Sequence, residues 1–216
     1  ANNGLGTISS SIVQTGPAGS SYTDTSGTVE WNLDSQSIVG AAGGSVKQVV
    51  FYAAPSMTLT AITAAYNKVV TDNVAKVINV SLGVCESSAN STGSQATDDT
   101  IFKQAVAQGQ TFSVSAGDHG AYECASGTPS RSTYTVSEPA TSPYVIAVGG
   151  TTLFTNTSTN AYNSEIVWND PSWQPGTVWS TGGGYSKYEA APSWQSSSLT
   201  GSTKRALPDV GFDADL

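Results

Sequence analysis

Glu30 and Asp34 stand four residues apart in the run TVEWNLDSQSIVG. On a helix that spacing projects both carboxylates from one face. Left in water, such a pair is a solvated acidic face. In a half-buried site the two become coupled, one carboxyl keeping its proton while the other acts as a base. Asp118 occupies the run SAGDHG, whose flanking glycines permit a tight turn with a forward-pointing side chain. An aspartate in such a turn also serves as a local cap. His119 follows directly and is exposed by the same turn, with no serine-centred motif arranged around it. Ser81, Leu82 and Gly83 close a β-branched run. A strand end of that kind either offers backbone N–H and C=O groups to an extended peptide or is a plain terminus.

Other chemistries are poorly served. One His and two Cys cannot assemble a structural zinc site, and no metal-ligand set is expected in this chain. The glycine runs at 149–150 and 182–184 have neither phosphate-loop spacing nor a following Lys, so a nucleotide site is not expected. Trp31, Trp168, Trp173, Trp179 and Trp194 read as core or loop packing, or alternatively as a platform for a ligand. Cys85 and Cys124 form either one disulfide closing a loop of about 40 residues, as an exported chain would favour, or two buried thiols.

The elements that position these residues alternate. Residues 1–28 are rich in Ser, Thr and Gly, with one short strand expected near 7–13. Thr28 reads as the N-cap of a helix through 39, with Val29, Leu33 and Ser37 on one stripe and glycines at 40, 43 and 44 ending it. A strand over 47–53 is stopped by Pro55, and apolar residues at 59, 62, 65, 66, 69 and 70 mark a helix over 59–72. Residues 75–82 read as a buried strand, 101–108 as a helix begun by Asp98 and Asp99, and 112–115 and 144–148 as strands. From Thr151 onward only short β-prone pieces stand among Gly, Trp, Ser and Pro. Strand–helix alternation predicts an α/β fold with a doubly wound, mostly parallel sheet. Active sites in such sheets lie beyond the C-terminal strand ends, where the Ser81 and Asp118 segments fall.

The 216 residues suffice for one domain, and 38% hydrophobic content suits a folded core. Eight basic against sixteen acidic side chains, a net charge of −8, argues against nucleic acid or an anionic membrane as partner. No apolar run approaches the roughly 20 residues of a membrane span. The uncharged, hydroxyl-rich polar surface and the start at Ala1 without Met suggest an exported, processed protein working in acid.

Taken in order, VEWNLDSQSIVG, VINVSLG, SAGDHG, PATSPYVIAVGGTTL and RALPDVGFDAD resemble the sedolisin family of serine-carboxyl peptidases, in particular its bacterial pepstatin-insensitive branch. The resemblance covers nearly the whole chain. It implies a subtilisin-like α/β fold and acid endopeptidase activity through a Ser-Glu-Asp triad. By resemblance Glu30 is the general base, Asp34 its hydrogen-bonded partner, Asp118 the oxyanion-hole acid, and the backbone of Ser81, Leu82 and Gly83 the cleft wall. The family's cysteine pair would match Cys85 and Cys124. The substrates implied are proteins or peptides.

The family's nucleophile lies in a Gly-Thr-Ser motif downstream of the PDVGFDAD segment, and no such run occurs here. Its calcium site lies further downstream, and its first strand upstream. The resemblance therefore implies that residues 1–216 are one partial peptidase domain, lacking the N-terminal strand and the C-terminal part with the nucleophile and the calcium ligands. The remaining fragments of the same precursor are then expected partners, and calcium an expected cofactor of the complete domain. A non-catalytic subtilisin-like module that binds peptide or carbohydrate is the alternative.

Overall fold

The computed structural model describes residues 4–124, 133–170 and 178–215. Four parallel strands form the centre, β3 (Val77–Val80), β5 (Thr111–Ser115), β7 (Ile146–Thr155) and β11 (Val210–Asp213), in the order β11-β7-β5-β3. β8 (Tyr162–Val167) turns back antiparallel on β7. β1 (Ser9–Gln14) and β2 (Gln48–Ala53) make a separate parallel pair. Short antiparallel pairs join β4 (Val84–Cys85) to β6 (Ser137–Glu138) and β9 (Gly184–Ala190) to β10 (Lys204–Leu207). The expected doubly wound, mostly parallel architecture is the one observed.

The core lies where α2 (Leu59–Asp72) and α4 (Ser94–Ala107) cover the sheet. The rings of Tyr66 and Phe102 lie tilted at 5.2 Å, and Phe102 meets Phe112 of β5 at 4.9 Å. Val69, Val70, Ile78, Val80, Ile101 and Val114 fill the surrounding space. This packing is what the 3.6-residue period of 59–72 foretold. α2 starts at Thr58, whose hydroxyl accepts from Ala61 N, and ends at Asn73 in the left-handed region.

Several expectations need correction. β3 is not wholly buried: Ile78 and Val80 face the core while Val77 is 79% exposed, because β3 ends the described sheet. The helix expected at 101–108 begins at Ser94, so Asp98 and Asp99 lie inside it. A further helix, α3 (Glu86–Thr92), precedes it in a Ser-rich stretch without apolar periodicity. Thr28 is the first residue of α1 (Thr28–Ala41), not its cap, which is Gly27. No residue of α1 is buried, so the expected stripe of Val29, Leu33 and Ser37 is absent. Trp31 anchors the helix instead, stacking on Phe51 of β2 at 5.2 Å.

Candidate active site

α1 carries Glu30 and Asp34 to the end of β3. There the Ser81 hydroxyl donates to Asp34 Oδ1 at 2.9 Å and accepts from Asn79 Nδ2 at 3.2 Å. Ser81 was expected to contribute only backbone. Its side chain is the direct link between the helix and the strand end. Leu82 packs partly against the core, and Gly83 is exposed.

The next parallel strand, β5, delivers Asp118. Gly117 (φ 104) and Gly120 (φ 61) adopt the left-handed region, which makes the turn as tight as the glycine spacing suggested. The Asp118 carbonyl accepts from Ser180 N at 3.0 Å, and the Gly117 carbonyl from Gly182 N at 2.6 Å. His119 is not the freely exposed side chain expected from the turn. Its ring lies 5.7 Å from that of Trp179, and its Nδ1 is 3.8 Å from Glu123 Oε1. Glu123 Oε2 also accepts from His119 N.

Of the three acids, Glu30 feels the charge of both others. Burial raises the proton affinity of Glu30, and the charges of Asp34 and Asp118 raise it further, against a smaller pull from Ser81. Burial also raises Asp34, opposed by hydrogen bonds from Ser81 and Asn79. Asp118 is raised by burial and lowered somewhat by His119. A carboxyl group held in this way offers a proton to a neighbouring oxygen in acid and accepts one when ionised.

The subtilase family profile matches residues 6–212. The chain belongs to the subtilase family. Within this family it is 55% identical over 216 residues to Sedolisin of Pseudomonas sp. (strain 101), covering 98% of this chain and 37% of that protein. It is 50% identical over 242 residues to Xanthomonalisin of Xanthomonas sp. (strain T-22), covering 98% and 29%. Its structure matches that of Pseudomonas sedolisin, a serine-carboxyl proteinase solved with two molecules of pseudo-iodotyrostatin. That match has a TM-score of 0.92 at 54% identity, over 99% of this chain and 59% of the other. This subtilase chain thus spans about a third of the length of the curated relatives it matches.

The cysteines settle on one of the two expected states: Cys85 and Cys124 form a disulfide. Among the described residues no helix is long and apolar enough to cross a membrane, and no group of three or more His, Cys, Asp or Glu could hold a metal ion. Trp194 lies under the Arg205 guanidinium at 4.9 Å, and Trp31 and Trp179 are in ring contacts, which favours packing roles. Trp173 lies outside the described residues.

A second set of carboxyls was not singled out from the sequence. Glu86 opens α3, Asp98 and Asp99 lie on α4, Glu138 ends β6 and Glu189 is on β9. Glu86 accepts from the Ser186 hydroxyl, from Lys187 N at 3.0 Å and from Gln95 Nε2 at 3.4 Å. Thr141 donates to Glu138, and Ser142 donates to Asp99. Asp98 Oδ1 and Glu138 Oε1 are buried without a partner. Burial raises Glu138 to about 9, helped by the charges of Asp99, Asp98 and Glu86 and opposed by Thr141. Burial likewise raises Asp98 to about 6 and Glu189 to about 7. No spacing rule finds this set, because its members come from four elements.

Proposed function

We propose that this chain supplies the acid–base and oxyanion groups of a secreted serine-carboxyl endopeptidase that cleaves proteins or peptides in acidic surroundings. The observation that carries the reading is convergence. Glu30 and Asp34 from a helix, Ser81 from one strand end and Asp118 from the next come together, and Glu30 senses the charge of both other acids. Similarity to a solved serine-carboxyl proteinase along 99% of the chain supports it.

In this reading the nucleophile is a serine hydroxyl carried outside residues 1–216, on a remaining segment of the same precursor. Ionised Glu30 takes the serine proton as Oγ bonds to the scissile carbonyl carbon. Protonated Asp118 donates to the oxygen that gains charge. The proton on Glu30 then passes to the leaving amine as the C–N bond breaks, and water hydrolyses the acyl-enzyme by the reverse transfers. Asp34, held by Ser81, sets the proton affinity of Glu30. The backbone of 81–83 pairs with the extended substrate. A His base would be mostly protonated in acid, whereas a carboxylate keeps a basic form there. Calcium, implied by the resemblance, has no fitting donor set among the described residues, and no step here involves it.

The test is Asp118→Ala in the complete enzyme, assayed on a peptide substrate. Loss of a single oxyanion donor lowers kcat by about 10²–10³-fold with little change in KM. Near-wild-type turnover would overturn the assignment.

A further inference from the structure

The glycine run at 182–184 is unused by the chemistry above, yet it lies against the turn that carries Asp118. Four backbone hydrogen bonds join the two segments. Gly182 N donates to Gly117 O at 2.6 Å and Ser180 N to Asp118 O at 3.0 Å. Gly120 N donates to Ser180 O at 3.0 Å and Gly183 N to Gly120 O at 3.3 Å. His119 and Ser180 pair as an isolated parallel bridge. The direction of the Asp118 side chain is set by the backbone that bears it, and that backbone is fastened here.

The contact has no room to spare. Gly182 is buried, and a Cβ there would overlap the carbonyl carbon and oxygen of Ala116 and sit 2.9 Å from Gly117 N. All three are main-chain atoms of the two residues before Asp118, so no rotamer change relieves the overlap. One added methyl must displace the turn.

We propose that segment 180–183 is a backbone splint that positions the Asp118 carboxyl for oxyanion stabilisation, and that Gly182 is its specificity-bearing residue because only glycine permits the approach. Gly182 is buried against Ala116 and Gly117 and acts through Asp118. The proposal rests on reading Asp118 as the oxyanion donor. Oxyanion donors work over about 2.7–3.1 Å, so a shift of roughly 1 Å forfeits most of the effect.

In the complete enzyme, Gly182→Ala is expected to lower kcat about 10–100-fold with KM within about twofold. Affinity for a peptidyl aldehyde, which becomes a tetrahedral adduct on the serine, should fall in parallel, while affinity for a product peptide stays unchanged. In an Asp118→Ala background the same change should cost less than about threefold, since both act through one group. Gly120→Ala perturbs the contact from the other side. Its Cβ would meet the rotatable Ser180 hydroxyl at 2.8 Å, and alanine at a φ of 61° adds backbone strain within the turn itself, so this variant decides the matter if Gly182→Ala does not fold. It should show the same pattern, weaker. Full additivity with Asp118→Ala would overturn the proposal. So would wild-type kcat in both glycine variants beside an inactive Asp118→Ala. Wild-type kcat in Asp118→Ala would instead remove the oxyanion reading itself, and the splint with it.

Discussion

The protein holds two groups of carboxyls, and they differ in what the protons of their raised members can do. Glu30 and Asp34 on α1 and Asp118 after β5 stand beside strand ends, each keeping part of its surface in water although burial raises all three. Water can therefore reach their protons. Glu86, Asp98 and Glu138 are each at most 5% exposed, with Asp99 and Glu189 beside them. Tyr66 from α2 and Lys204 from β10 also face this group, and Arg205 reaches Ser142 next to Asp99. A proton on Asp98 or Glu138 neutralises a charge that the interior cannot solvate. Acidity therefore bears on stability in the interior and, on the proposed reading, on chemistry at the rim. Disulfide-bonded Cys85 and Cys124 connect the regions, since Cys85 precedes Glu86 and Cys124 follows Glu123 under the Asp118 turn.

The largest expected effect tests the rim. Asp118→Ala should remove about 10²–10³-fold of kcat while flattening the pH dependence of unfolding less than a change at Glu138 does, since burial raises Glu138 to about 9. Asp118→Asn retains a donor that needs no proton, so its alkaline limb of activity should move to higher pH. A pH–rate profile superimposable on that of the parent would separate Asp118 from the titration.

Replacing both Cys85 and Cys124 by Ser should lower stability by roughly 4 kcal/mol on the chain-entropy account of a loop of 39 residues. Urea unfolding would measure it. A loss confined to activity would show that the link holds the rim alone.

The interior is tested by Glu138→Gln. The unfolded carboxyl ionises near 4.5 and the folded one near 9. The folded state therefore holds a proton that unfolding releases. Stability is full below about pH 4.5 and is lost as pH rises towards 9. At pH 7 the cost is on the order of 3 kcal/mol. The amide is neutral throughout, so unfolding midpoints at pH 4, 5.5 and 7 should fall much less steeply in the variant. An equally steep fall would mean that the interior is not the seat of the pH effect.

The smallest expected change is that of Ser81→Ala. The Ser81 hydroxyl lowers the proton affinity of Asp34 and Glu30, so its loss should move the acid limb of kcat/KM upward by a fraction of a pH unit. An unchanged limb would place the control of Glu30 elsewhere.

Legibility followed the range of the signals. The helix over 59–72 and the strands around 48–53, 77–80 and 111–115 were visible because apolar periodicity is a local consequence of one buried face. The α3 stretch was invisible: Glu86 and Ala89 are buried by tertiary contacts, not by a repeating pattern. α1 failed in the other direction, since the stripe expected of Val29, Leu33 and Ser37 is not buried and Trp31 alone stacks on β2. At the site, Glu30, Asp34 and Asp118 could be named from helical spacing, from glycine-flanked turn chemistry and from ordered motifs. The Ser81 hydroxyl and the approach of Gly182 could not. Both contacts join residues far apart in sequence, 47 positions in the case of Ser81 and Asp34.

The sequence alone therefore determined the α/β class, the parallel sheet and the family, and it named the candidate acids, because each is written in local pattern or in motif order. Only the tertiary structure decided which acids meet and which stay apart. Solvation separates them: the same carboxyl group can exchange its proton where water reaches it and is a pH-dependent part of the core where water is excluded.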